Sequence, residues 1–204
     1  MRILAIDTAT DESAVALHVD GAIAERAVTW RSAFRETAPA ALELLRRSGI
    51  GWGDLDGIAV PAGPGSFTGL RIGAALALGI AELRGLPLFA PSTLAVVAEA
   101  AAPGGARRVL ATLDARRGRR YAAVLERNGP AWMVVDGPVD VEADAAEAWA
   151  PDLAHARLEA PHPGGAPAAA LARLVAAAPA AYRLATPSDL RIAYARPAID
   201  PTPR

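Results

Sequence analysis

Hydrophobic and polar positions divide the start of the chain into short segments with the period of β-strands. Residues 2–6 form a short β-rich run that is apolar from Ile3 on, and residues 13–19 and 22–30 alternate between apolar and polar side chains. Asp20-Gly21 separates the second segment from the third and favours a tight hairpin. We therefore predict three consecutive strands joined through hairpins.

Helical and strand-like segments alternate from there to residue 102. We predict helices over 37–48, 67–83 and 93–101, and strands over 55–60 and 87–90. Thr37 is the predicted N-cap of the first helix, and Gly85 follows the second helix as a C-cap. The resulting order, βββαβαβα, predicts a mixed sheet with helices packed on it.

The pattern partly restarts after the Pro/Gly boundary at 103–105. We predict strands over 109–113, 120–126 and 131–135, and helices over 142–150 and 166–178, with a Pro/Gly loop at 160–165 between the helices. Asn128-Gly129 favours a second hairpin. In each half the first strand ends at an aspartate, Asp7 or Asp114. We therefore expect two related α/β subdomains, 1–102 and 103–204.

Composition excludes several kinds of chemistry. The 204 residues are 52% apolar and carry a net charge of -1, so the chain has core material but no overall basic field for nucleic acid or membrane. It contains no cysteine, which excludes thiolate zinc sites and disulfides, and no lysine, which excludes a P-loop or Schiff-base lysine. The longest apolar run, 72–81, is too short for a membrane span. We expect a cytoplasmic protein without membrane association.

A glycine-rich loop precedes the helix predicted over 67–83. Glycines and hydroxyls at a helix N-terminus favour anions, so a nucleotide is one candidate occupant; a partner protein or the neighbouring strand are the others. The turn after the first strand carries an acid and two hydroxyls, which suit a phosphate or a magnesium-bound water, although their spacing favours a local turn. The residues concerned are Asp7, Thr8, Thr10, Gly63, Gly65, Ser66 and Thr68. At Gly65 we expect that a β-branched side chain would resist a positive φ.

The same predicted helix is apolar on two sides. Gly69, Gly73 and Ala77 form a stripe of small residues, whereas a bulkier stripe holds Ile72, Leu76, Ile80 and Leu83. One side must cover the chain's own sheet, and the other must meet the second subdomain or another chain. Arg71 opposes the helix dipole in the first turn, so we expect it to contact a carboxylate or a backbone carbonyl.

Side chains for catalysis are sparse. The three histidines, His18, His155 and His162, lack the spacing of a metal site, and no Ser-His-Asp arrangement is indicated. The arginine-rich turn over 114–120 is typical of a solvated hairpin tip, although it could also contact phosphates. We predict neither a metal site nor a catalytic residue.

Five sequence segments resemble one known family. They read ILAIDTAT at 3–10, AGPGSFTGLRIG at 62–73, PSTL at 91–94, LDARRG at 113–118 and DLRIAYAR at 189–196. Together they resemble the TsaB (YeaZ) family, most strongly over the first 125 residues. The resemblance implies an α/β fold of the actin/hexokinase/Hsp70-like (ASKHA) type, with two RNase H-like subdomains and mixed sheets.

The resemblance also implies a function. It predicts a non-catalytic subunit that binds TsaD directly and joins TsaE, in a complex that threonylcarbamoylates adenosine 37 of ANN-decoding tRNAs. No cofactor is expected on this chain itself. The one place where ATP or ADP could bind is the junction with the partner. The nucleotide-proximal residues would be those of the two loops named above together with Arg71 and Asp114.

The first two helices would form the surface for TsaD. The predicted interface residues are Ala38, Ala41, Leu42, Leu45, Gly69, Ile72, Gly73, Leu76, Ala77 and Ile80. Phe34 stands where many relatives carry a histidine, and the second half is short for the family. Two alternatives stay open: a stand-alone nucleotide-dependent phosphotransferase or ATPase on the same fold, and a self-associating structural protein that forms a homodimer when alone.

Overall fold

Two β-sheets, each with helices packed on it, account for most of the chain. A computed structural model describes residues 1–102, 104–157 and 167–195. The predicted loop at 160–165, His162, Pro103 at the predicted boundary and the arginine that ends the 189–196 segment lie outside the described residues.

The first sheet has the strand order β3-β2-β1-β4-β5. Its strands are β1 (Arg2–Asp7), β2 (Glu12–Val19), β3 (Ala22–Thr29), β4 (Gly57–Ala59) and β5 (Leu88–Phe89). β1, β2 and β3 pair antiparallel, while β4 and β5 run parallel to β1. Helices α1 (Ala33–Arg47), α2 (Phe67–Arg84) and α3 (Thr93–Ala101) are interspersed as predicted, so the order βββαβαβα is confirmed.

Both faces of this sheet are buried. Leu4 and Ile6 lie on the face that α1 and α2 cover, in one hydrophobic cluster with Ile58 and Ala77. The alternate residues of β1 belong to a second cluster, which includes Leu94 of α3. Because side chains alternate along a strand, this two-sided burial explains why β1 is almost continuously apolar.

The second sheet has the order β8-β7-β6-β9. Its strands are β6 (Arg108–Arg116), β7 (Arg119–Asn128), β8 (Ala131–Glu142) and β9 (Ala154–Arg157), and β9 pairs parallel with β6. Both sheets are therefore mixed, as expected. Sequence reasoning missed β9, because its residues Ala-His-Ala-Arg carry little hydrophobic signal. Helix α4 (Ala143–Trp149) follows β8.

Helix α5 (Pro167–Ala177) returns from the second half of the chain to the first sheet. It packs against β1 and β2 and lies beside α3. Leu171 and Val175 are fully buried in a cluster that also holds Val109 and Leu125 of the second sheet. The two sheets therefore share this hydrophobic cluster, and the predicted division at 102/103 separates their strands but not their helices. A short helix, α6 (Pro179–Tyr182), follows.

Helix α1 begins four residues earlier than the predicted N-cap. Ser32 occupies the N-cap position, at the end of a 3-10 turn over Trp30–Ser32. Thr37 is instead buried inside the helix, where its hydroxyl donates to the carbonyl of Ala33 at 2.6 Å. Pro39 lies within α1, on the exposed side. Within the described ranges, the helices are either too short or too polar to cross a bilayer.

Candidate functional site

The turn after β1 is bound directly to the first turn of α2. The Thr8 hydroxyl donates to the carbonyl of Gly69 at 2.6 Å, and the Ser66 amide donates to the carbonyl of Ala9 at 2.8 Å. Ser66 also caps α2, because its hydroxyl oxygen accepts from the Gly69 amide. The capping group of this glycine-rich loop is thus engaged within the chain, and the turn after β1 packs directly against the loop.

Glycine is required in this loop because the backbones approach each other closely. A Cβ atom on Gly65 would lie 2.6 Å from the carbonyl oxygen of Ala9. One on Gly69 would lie 1.8 Å from the carbonyl oxygen of Thr8. Gly65 is not among the residues with positive φ, so the expectation of a left-handed conformation there is wrong. A larger side chain is excluded at this position by contact rather than by backbone strain.

Asp7 is buried beneath this contact. Its Oδ1 accepts from the Ala9 amide at 2.9 Å, whereas Oδ2 has no hydrogen-bond partner. Burial raises the pKa of Asp7 from 3.8 to about 7, because a carboxylate loses its hydration there. The Asp7 carboxyl is fully buried, and it takes no part in lining the neighbouring cleft.

A cleft of about 540 Å³ lies beside this contact, between the β1–β2 turn, the start of α2 and the β6–β7 turn. Asp11 from the first turn forms an ion pair across it with Arg116 from the last. Arg116 and Arg117 both have positive φ values, 65° and 54°. Of the nucleotide-proximal residues that the sequence predicted, those lining the cleft are Thr10, Gly65, Ser66, Thr68 and Asp114; Asp7, Thr8, Gly63 and Arg71 do not line it.

Arg71 has a different partner from the one expected. Its Nε donates to the Tyr194 hydroxyl at 3.2 Å, and its Cζ lies 3.8 Å from the centre of the Phe67 ring. The prediction of a carboxylate or carbonyl partner is therefore wrong, because Arg71 contacts two aromatic side chains instead. An arginine against the helix dipole signals that a partner is present, but Tyr194 is 123 residues away along the chain, so sequence spacing could not identify it.

The surface formed by α1 and α2 carries an apolar groove of about 450 Å³. Its walls include Phe34, Ala38, Phe67, Arg71, Ile72 and Leu76. Phe34 is 82% exposed, and Leu42 and Leu83 on the same two helices are 53% and 79% exposed. Large apolar side chains with this degree of exposure mark sites of protein interaction when they cluster.

The structure divides the ten predicted interface residues into two groups. Ala41, Leu45, Gly69, Gly73 and Ala77 are buried in the chain's own core, so placing them on the surface was wrong. Small residues on α2 let the helix approach β1 closely; a Cβ on Gly73 would lie 2.5 Å from the Thr8 hydroxyl oxygen. Ala38, Leu42, Ile72, Leu76 and Ile80 are exposed or partly exposed.

Comparison with known proteins places this chain among proteins of tRNA threonylcarbamoyladenosine biosynthesis. A family model described as "TsaD: tRNA N6-adenosine threonylcarbamoyltransferase" matches residues 28–183. The chain is 43% identical over 130 residues to the tRNA threonylcarbamoyladenosine biosynthesis protein TsaB of Escherichia coli, covering 63% of this chain and 56% of that protein. The TsaB protein of Haemophilus influenzae is 36% identical over 129 residues, covering 62% of this chain and 55% of that protein. The chain thus spans little more than half the length of these relatives.

A solved structure extends the likeness over nearly the whole chain. YeaZ from Pseudomonas aeruginosa superposes with a TM-score of 0.76 at 25% identity, covering 95% of this chain and 99% of that one. The fold and the family model define the class as a TsaD-related α/β protein with two mixed sheets. Within that class, the chain belongs to the TsaB (YeaZ) family, which confirms the resemblance drawn from the five sequence segments.

Proposed function

We propose that this protein is a non-catalytic subunit that binds TsaD and supports threonylcarbamoylation of adenosine 37 in ANN-decoding tRNAs. The observation that carries the proposal is the apolar groove on α1 and α2, with the highly exposed Phe34 at its wall. The TsaB relatives are named as proteins of threonylcarbamoyladenosine biosynthesis, which supplies the biochemical context.

The proposed TsaD-binding surface is narrower than the sequence predicted. It comprises the exposed or partly exposed residues of the two helices: Phe34, Ala38, Leu42, Ile72, Leu76 and Ile80. Phe34 is the proposed anchor, because a few large side chains that become buried in a partner contribute most of the energy of such an interface. The buried small residues of α2, Gly69, Gly73 and Ala77, hold the helix close to the first sheet and thereby fix the position of this surface.

The transfer reaction itself is assigned to TsaD in this proposal. On this chain the Asp7 carboxyl is buried away from the cleft, and the capping hydroxyl of the glycine-rich loop is bound within α2. TsaE is the further partner, tRNA is reached through the complex, and ATP or ADP is placed at the subunit junction. We infer that 1–102 and 103–204 are RNase H-like subdomains of an actin/hexokinase/Hsp70-like fold, in which α5 crosses back onto the first sheet.

The cleft between the sheets favours one other function. The hydroxyls of Thr10 and Thr68 that line it, together with Arg117, are groups that bind phosphate, so a stand-alone phosphotransferase or ATPase is the second candidate. Turnover of ATP by the isolated chain distinguishes this candidate from the scaffold.

Size-exclusion chromatography with light scattering tests the proposal. The chain is measured alone, and then mixed with its cognate TsaD. We expect a one-to-one complex that replaces any homodimer, and ATP turnover by the lone chain at background. Adding TsaE, ATP and substrate tRNA should then give modification that requires this chain. A persistent homodimer without a complex would contradict the proposal, as would ATP hydrolysis by the chain alone.

A further inference from the structure

The last described segment of the chain returns to the first sheet rather than staying with the second. The Leu184 amide donates to the carbonyl of Leu88 at 3.0 Å, and the Ala90 amide donates to the carbonyl of Tyr182 at 2.9 Å, which extends the edge of β5. Further on, the Ala193 amide donates to the carbonyl of Ala62 at 2.7 Å. The segment thereby reaches the loop that begins α2.

The fit at this point is tight. Gly63 has a φ of 98°, and a Cβ atom added there would lie 2.4 Å from the Ala193 oxygen. The Gly63 carbonyl in turn accepts from the Thr93 amide at 2.9 Å. Residues 192–195, which we term the clasp, are therefore held against the α2 loop by a backbone contact that tolerates no side chain.

Tyr194 of the clasp organises two side chains at the start of α2. Its ring centre lies 5.2 Å from that of Phe67, its hydroxyl accepts from Arg71 Nε, and the Arg71 guanidinium stacks on Phe67. In the described part of the chain, no acidic group lies within ion-pair distance of Arg71. Without Tyr194, this exposed arginine would lose its hydrogen bond and, among the described residues, keep only its stacking contact with Phe67.

Phe67 and Arg71 are also walls of the apolar groove, whereas Tyr194 lies outside its lining. Side chains that are already ordered cost less conformational entropy when a partner binds, typically by an amount that alters affinity several-fold for each side chain. The clasp thus connects the C-terminal segment to the surface proposed for TsaD.

We propose that the clasp pre-organises the TsaD-binding groove, with Tyr194 as a positioning residue that acts through Arg71 and Phe67. This inference rests on the proposed function, because the groove is taken to be the TsaD surface. It predicts that affinity for TsaD depends on a residue that need not touch TsaD.

Isothermal titration calorimetry of the full chain against TsaD tests the clasp. We expect Tyr194→Ala to weaken binding about tenfold and Tyr194→Phe, which keeps the ring on Phe67, to weaken it about threefold. In a double-mutant cycle, Tyr194→Phe should have no further effect once Arg71 is replaced by alanine, because the two residues act as one unit. Arg191→Ala is the matched control, since the Arg191 side chain donates, among the described residues, to carbonyls of its own segment, those of Ser188 and Leu190.

The possible outcomes separate the two proposals. If the wild-type chain does not bind TsaD, the proposed function fails. If the wild type binds and Tyr194→Ala binds equally well, the clasp inference alone fails. Additive effects of the Tyr194 and Arg71 variants would also overturn it, because Tyr194 would then act independently of Arg71. Thermal unfolding of each variant is measured in parallel, and should Tyr194→Ala be unfolded, the Tyr194→Phe cycle decides.

Discussion

The hydroxyl of Thr8 donates a hydrogen bond to the carbonyl of Gly69, at 2.6 Å, inside the protein. The Gly69 backbone also lies so close to the Thr8 backbone that a Cβ atom on Gly69 would be 1.8 Å from the carbonyl oxygen of Thr8. The pair joins the end of β1 to the first turn of α2, 61 residues later in the chain. It fixes where α2 starts, and therefore where its outer, exposed side chains lie.

Gly69→Ala should destabilise the protein by about 3 kcal/mol, because the new methyl group overlaps the backbone of Thr8. Gly79→Ala is the control in the same helix, since nothing lies within 4 Å of a Cβ there. It should stabilise the protein by about 0.5 to 1 kcal/mol through helix propensity. Urea denaturation followed by circular dichroism measures both. Equal effects of the two substitutions would contradict the close contact.

Gly63→Ala should cost more stability than Gly21→Ala, although the two glycines have nearly equal φ values of 98° and 99°. Both alanines carry the backbone strain of a positive φ, about 1 to 2 kcal/mol. Only Gly63 faces the Ala193 oxygen, whereas nothing lies within 4 Å of a Cβ on Gly21. Limited trypsinolysis adds a local readout: cleavage after Arg191 should be faster in Gly63→Ala and unchanged in Gly21→Ala.

Asp7→Asn should change the pH dependence of stability. The pKa of Asp7 is raised from 3.8 to about 7 in the folded protein by burial, so the folded state binds the extra proton between these values. Asp7 therefore favours folding most below pH 4, and this contribution is lost as the pH rises through 7. Asparagine stays neutral and retains an acceptor for the Ala9 amide.

Urea denaturation of Asp7→Asn and wild type at pH 5 and pH 8 tests this sign. The variant should gain stability relative to wild type at pH 8 by a few kcal/mol, on the order of the free energy that such a pKa shift represents. At pH 5 the difference should be markedly smaller. A variant that becomes relatively less stable at pH 8 would show that the carboxylate is stabilised in the fold.

Phe34→Gln should weaken TsaD binding at least tenfold while changing the free energy of unfolding by less than about 0.5 kcal/mol. The reason is its exposure, since Phe34 contributes little to the core but carries the largest apolar area of the groove. Met133→Gln is the control: Met133 is 42% exposed on β8, in the other sheet. Calorimetric titration measures the affinity of both variants for TsaD. Equal losses of affinity would show that TsaD does not bind at the groove.

Glutamate substitutions at Ala75 and Ala77, both in α2, should have different effects: one on TsaD binding and the other on folding. Ala77→Glu places a charge in the core, where Ala77 is fully buried, and should cost more than about 3 kcal/mol of stability. Ala75 is exposed and lines the groove, so Ala75→Glu should leave the monomer folded and weaken TsaD binding. Thermal unfolding and calorimetric titration distinguish the two, and a folded Ala77→Glu protein would contradict the burial.

Local sequence patterns were sufficient for much of the first sheet and for α2. The C-cap signal of Gly85 is purely local, and α2 begins at the predicted Phe67 and ends at Arg84, one residue beyond the predicted end. The faces of α2 were assigned less well, because glycine and alanine carry almost no hydrophobic contrast. Only the position of Thr8 reveals that Gly69 and Gly73 face inward.

Long-range contacts account for the remaining differences. Tyr194 pairs with Arg71, and Glu25 of β3 accepts a hydrogen bond from the Ala169 amide at the start of α5, 144 residues later. No periodicity in one segment encodes a partner at such a distance. The family resemblance identified the Tyr194 segment as characteristic, but its contacts required the three-dimensional structure.

The return of α5 to the first sheet has a consequence for the order in which the protein folds during synthesis. Residues 2–19 of β1 and β2 leave the ribosome early, yet α5, which covers one of their faces, lies at Pro167–Ala177. Until then, that apolar face lacks one of its covering helices, and nascent chains with exposed strands of this kind are prone to aggregate. The time needed to translate the second half therefore sets how long this apolar face stays without α5.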